Sequence, residues 1–204
     1  ATFANGGFKI NPFLIREIDS INSDVIFTEN PMLACTENCE GLFVAKRVVE
    51  ARVAHIIDSM LSDAIRRGTG TKAMRNLKRG DLRGKTGTTN DADIWFSGYT
   101  PDLVATAWAG FADNSAVGSR EWGSTTPIET WIDFMAIALP EVNASKLLSR
   151  PNGVVSVKID PITGLRTDPS DPDGIFEIFR EERVPPLGST SAHSTDTDIT
   201  QDIC

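Results

Sequence analysis

The residues with the clearest chemical potential lie in the segment Leu82–Asn90, written LRGKTGTTN. Its letters GKT match the end of a phosphate-binding loop, and the overlapping letters KTG are typical of an anion-binding strand beside a nucleophilic serine. A phosphate-binding loop requires glycine where this chain has Arg79. It also opens into a helix, whereas here the turn residues Asn90 and Asp91 follow. The sequence therefore favours the KTG interpretation.

Each residue of this strand has a chemical use in binding the carboxylate end of a peptide. Lys85 offers a fixed positive charge. Thr86 and Thr88 are alternate residues of a strand, so we expect their hydroxyls to point the same way and to share one carboxylate. Gly87 has no side chain and allows an extended peptide to approach and pair as an added strand. The backbone amide of Thr88 is a candidate oxyanion-hole donor.

The surrounding elements follow from hydrophobic periodicity. Apolar residues spaced by three and four predict a helix over Glu50–Arg66 with a buried stripe. Thr126 as N-cap, Pro127 at the first position and Glu129 reaching back predict a second helix. The residues expected on the buried face of the first helix are Val53, Ile56, Ile57, Met60, Leu61, Ala64 and Ile65. Those expected on the buried face of the second helix are Trp131, Ile132, Met135, Ala138 and Leu139.

Short connections predict antiparallel strands at Leu82–Thr88, Ile94–Tyr99 and Leu103–Phe111. The last of these is apolar at almost every position, which predicts helices on both faces of the sheet. We expect Trp95 and Tyr99 to be aromatic core residues. Other expected features are a hairpin of 13–15 with 25–27, a mobile loop over 68–79, a strand at VVSVKI followed by the turn DPITG, and an acidic tail from about 168.

The amino-acid composition limits the classes of partner that this protein can bind. The 204 residues carry a net charge of −8, which disfavours nucleic acid. No apolar run is long enough for a membrane span, and ATFANGG at the start resembles the end of a helix, so we expect a piece of a longer protein. Cys35 and Cys39 form either a local disulfide in an oxidising compartment or two unpaired loop thiols. Neither these cysteines nor the histidines suggest a metal site, and no cofactor is expected.

The order of motifs resembles the C-terminal half of the transpeptidase domain of class A, bifunctional penicillin-binding proteins. The motifs are ATFANGG, RRGTG, GKTGTTND, the segment DIWFSGYTPDL and PIETWIDFM. VVSVKIDPITGLRT and FEIFREERVP are similar to the C-terminal extension of the 1A type of this family. The resemblance covers about 1–186.

This resemblance implies an α/β (α+β) fold, an antiparallel sheet covered by helices on both faces, incomplete in this chain. It implies transpeptidase residues at 1–140, an extension at 141–186 and a disordered tail at 187–204. Members acylate a serine with a D-Ala-D-Ala stem peptide of peptidoglycan, release D-Ala and pass the acyl group to an amine; β-lactams block them. By this match Lys85, Thr86 and Thr88 are catalytic and Lys85, Thr86, Gly87 and Thr88 bind substrate, at the periplasmic side of the inner membrane.

The chain departs from the family pattern because it contains no Ser-x-x-Lys. The segment most similar to that motif is Thr69-Gly70-Thr71-Lys72, which lies in a glycine-rich loop. Ser20-Ile21-Asn22 matches the family's Ser-x-N motif, but it follows ATFANGG, whereas the family's motif precedes that segment. We therefore expect the nucleophile in a missing N-terminal part of the domain and no activity from this chain alone. His55 has no serine or cysteine partner and is expected to be structural; His193 falls in the predicted tail.

Two other functions remain open from the sequence. A serine β-lactamase also uses a Lys-Thr-Gly strand, although ATFANGG and the long C-terminal extension argue against it. A non-catalytic fragment that only binds or scaffolds is the second alternative. The two differ from a transpeptidase in how they treat penicillin, because a lactamase releases the acyl group quickly and a scaffold forms none.

Overall fold

The computed structural model describes residues 1–139 and 147–188. The chain divides into two compact units, Ala1–Asn152 and Gly153–Cys204. Of the tail predicted at 187–204, Leu187 and Gly188 are described, and Leu187 forms a bridge with Arg166. The rest of that tail, with His193, and the predicted boundary at 140 lie outside the described residues. The elements in chain order are β1 (Phe8–Lys9), β2 (Glu17–Asp19), β3 (Val25–Thr28), β4 (Lys46–Arg47), α1 (Ala51–Arg66), α2 (Thr71–Leu77), β5 (Arg83–Thr89), β6 (Asp93–Tyr99), β7 (Val104–Gly110), α3 (Thr126–Ala138), β8 (Val154–Ile159) and β9 (Ile175–Arg180), followed by a 3₁₀ turn, Glu181–Arg183.

The centre of the first unit is a three-stranded antiparallel sheet in the order β5-β6-β7. The three strands lie within one residue of their predicted positions. Asn90 and Asp91, with φ of 47° and 57°, turn the chain from β5 into β6. Because GKT lies inside a strand and is followed by another strand, the structure excludes the phosphate-binding loop.

All three helices of the first unit border the same buried core. Phe96 of β6 meets Trp131 of α3 edge to face, with ring centroids 5.0 Å apart, and the indole of Trp131 donates to the carbonyl of Ala105 at 3.1 Å. Such aromatic pairs stabilise a core beyond their buried area. The buried cluster comprises Ile65, Ala73, Leu82, Phe96, Ile128, Trp131, Ile132 and Met135.

The apolar sequence of β7 predicted that both faces of this strand are covered, but one of its faces is partly exposed. Val104 and Trp108 are 43% and 49% exposed on that face. The alternate residues Ala105 and Ala107 pack against the core. The strand therefore alternates between two environments, and small alanines rather than large apolar residues face the helices.

Helix α1 begins within one residue of its predicted start, but its buried stripe differs from the prediction. The buried residues are Ala54, Asp58, Ser62 and Ile65, so two polar side chains replace the expected apolar ones. Met60, predicted to be buried, is 60% exposed. The buried face of α1 is therefore rotated relative to the predicted one. The physical cause is that Asp58 forms an ion pair with Arg83 of β5, described below.

Further predictions for the helices of the first unit need correction. The segment expected to be a mobile loop contains α2, whose C-terminus at Lys78 adopts the left-handed conformation with φ of 51°. In α3, the N-cap is Thr125 and not the predicted Thr126, and Glu129 does not cap the helix but pairs with Lys72 of α2. Ala138, expected in the buried stripe of α3, is exposed.

The predicted hairpin exists, but its first strand is shifted. Strand β2 is Glu17–Asp19, which pairs antiparallel with β3, and the apolar run 13–15 precedes it. Leu14 is fully exposed and Ile21 likewise, so the pairing is held by the strand ladder rather than by burial. Cys35 and Cys39 form a disulfide with Cα atoms 6.0 Å apart, which settles the alternatives left by the sequence.

The second unit contains an antiparallel pair of strands, β8 and β9. Strand β8 lies where VVSVKI predicted it, and the DPITG turn is closed by the carboxylate of Asp160, which accepts the amides of Ile162 and Thr163 at 2.7 and 3.1 Å. Strand β9 corrects the prediction of an acidic tail from 168. The run IFEIFR pairs with β8 along its whole length, and every residue except Phe176 is partly buried, which outweighs the acidic residues around it.

Candidate functional site

The candidate site is the outer part of β5, an edge strand of the sheet. Its first residue, Arg83, is anchored by Asp58, which also accepts a hydrogen bond from Tyr99. The guanidinium of Arg83 donates through Nε to Asp58 Oδ2 of α1 at 3.0 Å, and the hydroxyl of Tyr99 of β6 donates to Asp58 Oδ1 at 2.9 Å. Side chains of Arg83 and Asp58 are 11% and 9% exposed. Breaking such a buried pair leaves an uncompensated charge, so this contact fixes β5 against α1.

The anchor also affects the Tyr99 phenol. Burial and the neighbouring carboxylate of Asp58 raise the pKa of Tyr99 far above its ordinary value, while Arg83 opposes them. The phenol therefore stays protonated and keeps donating to Asp58. Tyr99 is a buried residue, as the sequence predicted.

Lys85 and Thr86 meet at the exposed part of the strand. The ammonium of Lys85 donates to the carbonyl of Thr86 at 2.9 Å and to its hydroxyl at 3.2 Å. The Thr86 hydroxyl also shares a hydrogen bond of 2.8 Å with the hydroxyl of Thr69, in the loop between α1 and α2. A cation and two hydroxyls are thus assembled at one point of the β5 edge, a suitable set of donors for a carboxylate.

Thr88 has a different partner. Its hydroxyl accepts the amide of Gly123, in the loop before α3, at 3.3 Å. Since that hydroxyl acts as the acceptor, its proton remains available to donate to a ligand. The structure therefore gives Thr86 and Thr88 separate protein contacts. A shared carboxylate, as the sequence predicted, remains a prediction.

Gly123 explains why the loop before α3 can reach this strand. It is buried, and a Cβ added there would lie 2.3 Å from the carbonyl oxygen of Trp95 and 2.7 Å from that of Gly87. Gly87 itself pairs with Trp95 in the sheet register. Only glycine allows the loop to come this close to the backbone.

Trp95 does not have the core position that the sequence predicted. It is 40% exposed on the face of the sheet opposite Phe96, where its ring lies 5.9 Å from that of Trp108. The Trp108 indole donates to Asp93 at 2.6 Å. The prediction failed because strand alternation places Phe96, and not Trp95, against α3.

His55 and Ser20 have structural surroundings. His55 Nδ1 is buried and has no hydrogen-bond partner among the described residues, and burial lowers the pKa of its imidazole. The Ser20 hydroxyl accepts the amides of Asn22 and Asp24 in the β2–β3 turn, so its Ser-x-N match serves the turn. Within 1–139 and 147–188, no cluster of His, Cys, Asp or Glu could hold a metal ion. No described helix is both long and apolar enough to cross a membrane.

Sequence reasoning missed three residues that support the site. Thr69 lies in a motif noted only as a failed Ser-x-x-Lys match, and its hydroxyl is the feature that matters. Asp58 and Asp63 both interrupt the apolar helical pattern, and periodicity does not indicate which of the two carboxylates is buried. Gly123 carried no signal, because its contact depends on the approach of two distant segments.

Comparison with known proteins identifies the family of this chain. The family of penicillin-binding protein transpeptidase domains matches residues 1–125. Penicillin-binding protein 1A of Pseudomonas aeruginosa is 38% identical, over 91% of this chain and 27% of that protein. The corresponding protein of Vibrio cholerae is 32% identical, over 95% of this chain and 28% of its own length.

A solved structure gives the same result. The crystal structure of penicillin-binding protein 1A from Haemophilus influenzae superposes with a TM-score of 0.81 at 32% identity, covering 90% of this chain and 31% of that chain. The chain thus spans less than a third of the length of these relatives. The predicted mixture of helices and antiparallel sheet in a transpeptidase fold is confirmed. The chain belongs to the penicillin-binding protein transpeptidase family.

Proposed function

We propose that this chain supplies the substrate-gripping strand of a serine D,D-transpeptidase that crosslinks peptidoglycan stem peptides. The observation that carries the proposal is the assembly of the Lys85 ammonium with the Thr86 and Thr69 hydroxyls on an exposed edge strand. Family membership supplies the chemistry that such a strand serves.

In this proposal the edge strand binds the carboxylate end of a D-Ala-D-Ala peptide. Lys85 and Thr86 attract the carboxylate, and Thr88 donates its remaining hydroxyl proton to the same group. Gly87 leaves the strand edge free for the extended peptide, which pairs by main-chain hydrogen bonds. The amide of Thr88 stabilises the oxyanion that forms when a serine attacks the peptide carbonyl. β-Lactams occupy the same edge.

The nucleophile comes from outside the 204 residues. No Ser-x-x-Lys occurs in this sequence, so the strand has no attacking hydroxyl or base to work with. We propose that a Ser-x-x-Lys in a preceding part of the domain completes the site and that this chain alone is inactive. The complete enzyme then acts at the periplasmic side of the bacterial inner membrane, and the Cys35–Cys39 disulfide is consistent with an oxidising compartment.

Labelling with a fluorescent penicillin tests the proposal. The 204-residue chain should take up no label, and a longer form of the protein that includes Ser-x-x-Lys should be labelled stably. In the longer form Lys85→Ala should slow acylation by about 100-fold or more, as loss of one preorganised charge-stabilising group does.

Lys46→Ala is the matched control, because Lys46 is an exposed lysine on β4. Its acylation rate should equal that of the parent protein. Normal acylation of the Lys85→Ala variant would refute the assigned role of the strand. Release of the label soon after it forms would instead indicate a β-lactamase.

A further inference from the structure

A second group of cations lies beside β5, outside the Lys85–Thr88 segment. It lines an open cleft of about 410 Å³ between α2 and the loop that leads into α3, here termed the α2–α3 cleft. The lining residues are Thr69, Thr71, Lys72, Arg75, Asn76 and Ser124.

The cleft wall is cationic in an acidic chain. It contains Lys72 and Arg75 and no carboxylate, whereas the whole chain has a net charge of −8. Concave surfaces lined by one sign of charge concentrate ions of the opposite sign. The remaining lining groups are hydroxyls and an amide, which can donate hydrogen bonds to an anion.

Lys72 already holds a carboxylate at the rim of the cleft. Its ammonium pairs with Glu129 of α3, and the two side chains are 40% and 60% exposed. An exposed ion pair of this kind adds little to stability and exchanges readily. Glu129 therefore acts as an internal competitor, and its presence shows that a carboxylate reaches this ammonium.

Arg75 has no such competitor. Its guanidinium folds back onto the cleft wall and donates to the hydroxyl of Thr71 at 2.9 Å. Among the described residues no carboxylate pairs with it. No acid in the part of the chain that the structure describes balances the charge of Arg75, so the described lining of the cleft keeps a net charge of +1 even with Lys72 and Glu129 paired.

We propose that the α2–α3 cleft binds a carboxylate-bearing ligand, with Lys72 and Arg75 as its cationic partners and Glu129 as the group displaced. Thr69 lines this cleft and bonds the Thr86 hydroxyl, so the cleft adjoins the edge of β5. It is a second anion site, and its existence does not depend on the transpeptidase role proposed for β5.

The probe is tricarballylate, a flexible tricarboxylate, and its neutral triamide is the control ligand. The ¹⁵N-labelled 204-residue chain is titrated with each ligand and followed by NMR. The spectra resolve the backbone amides of Lys72, Arg75 and Ser124, in the cleft, from those of Thr86 and Thr88, on β5. We expect the cleft amides to shift with tricarballylate and to be unaffected by the triamide. The affinity should fall as salt is added, because the contacts are electrostatic.

Three variants assign the site. Replacing both cations, Lys72→Gln with Arg75→Gln, should weaken binding by about tenfold or more. Glu129→Gln removes the competitor with little change of shape and should tighten binding a few-fold. Lys85→Gln, on β5, should leave binding in the cleft within about twofold of the parent. All the changed side chains are at least partly exposed, and circular dichroism confirms that each variant is folded.

Two results would overturn the inference. Shifts confined to Thr86 and Thr88 and lost in Lys85→Gln would place the anion on β5, which leaves the proposed transpeptidase role intact and removes the cleft as a site. Absence of any shift at the cleft amides with millimolar tricarballylate would do the same. Conversely, binding in the cleft with normal penicillin acylation by Lys85→Ala would retain the cleft and refute the proposed role of β5.

Discussion

The two halves of β5 are held in different ways. At the inner half, Arg83 is paired with Asp58, and Gly84 is buried so closely that an added Cβ would lie 2.9 Å from the ring of Phe96. At the outer half, Lys85 and Thr88 are exposed. Lys85 donates only to Thr86, the next residue of the strand, and the Thr88 hydroxyl accepts one amide from the loop before α3. One strand therefore combines a rigid base with an accessible end.

This difference shows how an exposed edge can still be well positioned. The exposed residues gain little stability from their own contacts, so their positions depend on the buried residues just before them in the chain. Binding groups held on a supported strand are placed more accurately than groups held on a loop. Substitutions at the inner half should therefore lower the free energy of unfolding strongly, and substitutions at the outer half should not.

The largest expected effect is that of Asp58→Ala. This change leaves the guanidinium of Arg83 buried without its partner and removes the acceptor of the Tyr99 hydroxyl. We expect the free energy of unfolding in urea to fall by about 3–5 kcal/mol, the usual result of breaking a buried ion pair.

Asp63→Ala is the matched control for Asp58→Ala. Asp63 lies on the same helix and pairs with Arg67 at 2.6 Å, but both side chains are more exposed, at 34% and 53%. Its loss should change the free energy of unfolding by less than about 0.5 kcal/mol. Equal effects of the two substitutions would contradict the distinction between the halves of β5.

A smaller effect is expected for Gly123→Ala, which tests how the outer half is supported. The added methyl group would clash with the backbone of Trp95 and Gly87 and push the loop away from Thr88. Overpacking of this kind destabilises by about 1–3 kcal/mol. Hydrogen exchange should accelerate at the Gly123 amide, because its bond to Thr88 is lost.

Gly80→Ala provides the comparison for Gly123→Ala. An added Cβ at Gly80 has nothing within 4 Å. The substitution should leave the free energy of unfolding unchanged or raise it slightly. A stable Gly123→Ala variant with unchanged hydrogen exchange would show that the loop does not support Thr88.

The smallest effect concerns His55, on α1 beside the inner anchor. Burial lowers the pKa of this imidazole below its ordinary value of 6.5; Arg150 and Arg83 also lower it, and Asp58 opposes them. The unfolded chain then binds a proton more readily than the folded one, so stability should decrease as the pH falls through about 6.5. Above that pH both states are neutral and the effect vanishes.

Urea unfolding of the parent chain and of His55→Gln between about pH 7.5 and about pH 5.5 measures this contribution. The parent should lose more stability than the variant over that interval. Parallel pH profiles would mean that His55 does not contribute. A steeper profile for the variant would reverse the sign of the predicted pKa shift.

Local periodicity predicted most elements because it reports what a short segment can bury. The helix at Glu50–Arg66 and the strands around GKTG and IWFSGY follow this rule. It missed α2, since glycine and basic residues suggested a loop where packing of Ala73 against the core stabilises a helix. It also could not tell which face of β7 the helices cover, because that depends on the placement of distant elements.

For the site, the motif identified the strand residues and the fold supplied their partners. Lys85, Thr86 and Thr88 share one strand, so spacing alone places them together. Asp58 and Gly123 come from other parts of the chain, and only the folded structure shows that they reach β5. Sequence thus predicts which groups bind, and the fold shows what holds them in place.

The contact of Gly123 with Thr88 has a practical consequence. The residue just before Gly123 is Trp122, whose indole is 48% exposed. The fluorescence emission of a half-exposed indole responds to changes in its hydration. Because Thr88 bonds the amide of Gly123, a displacement of Thr88 moves the residue next to this indole. Part of the tryptophan emission of the chain therefore reports events at the β5 edge, and the difference between the parent and Trp122→Phe isolates that part from the emission of the other three tryptophans.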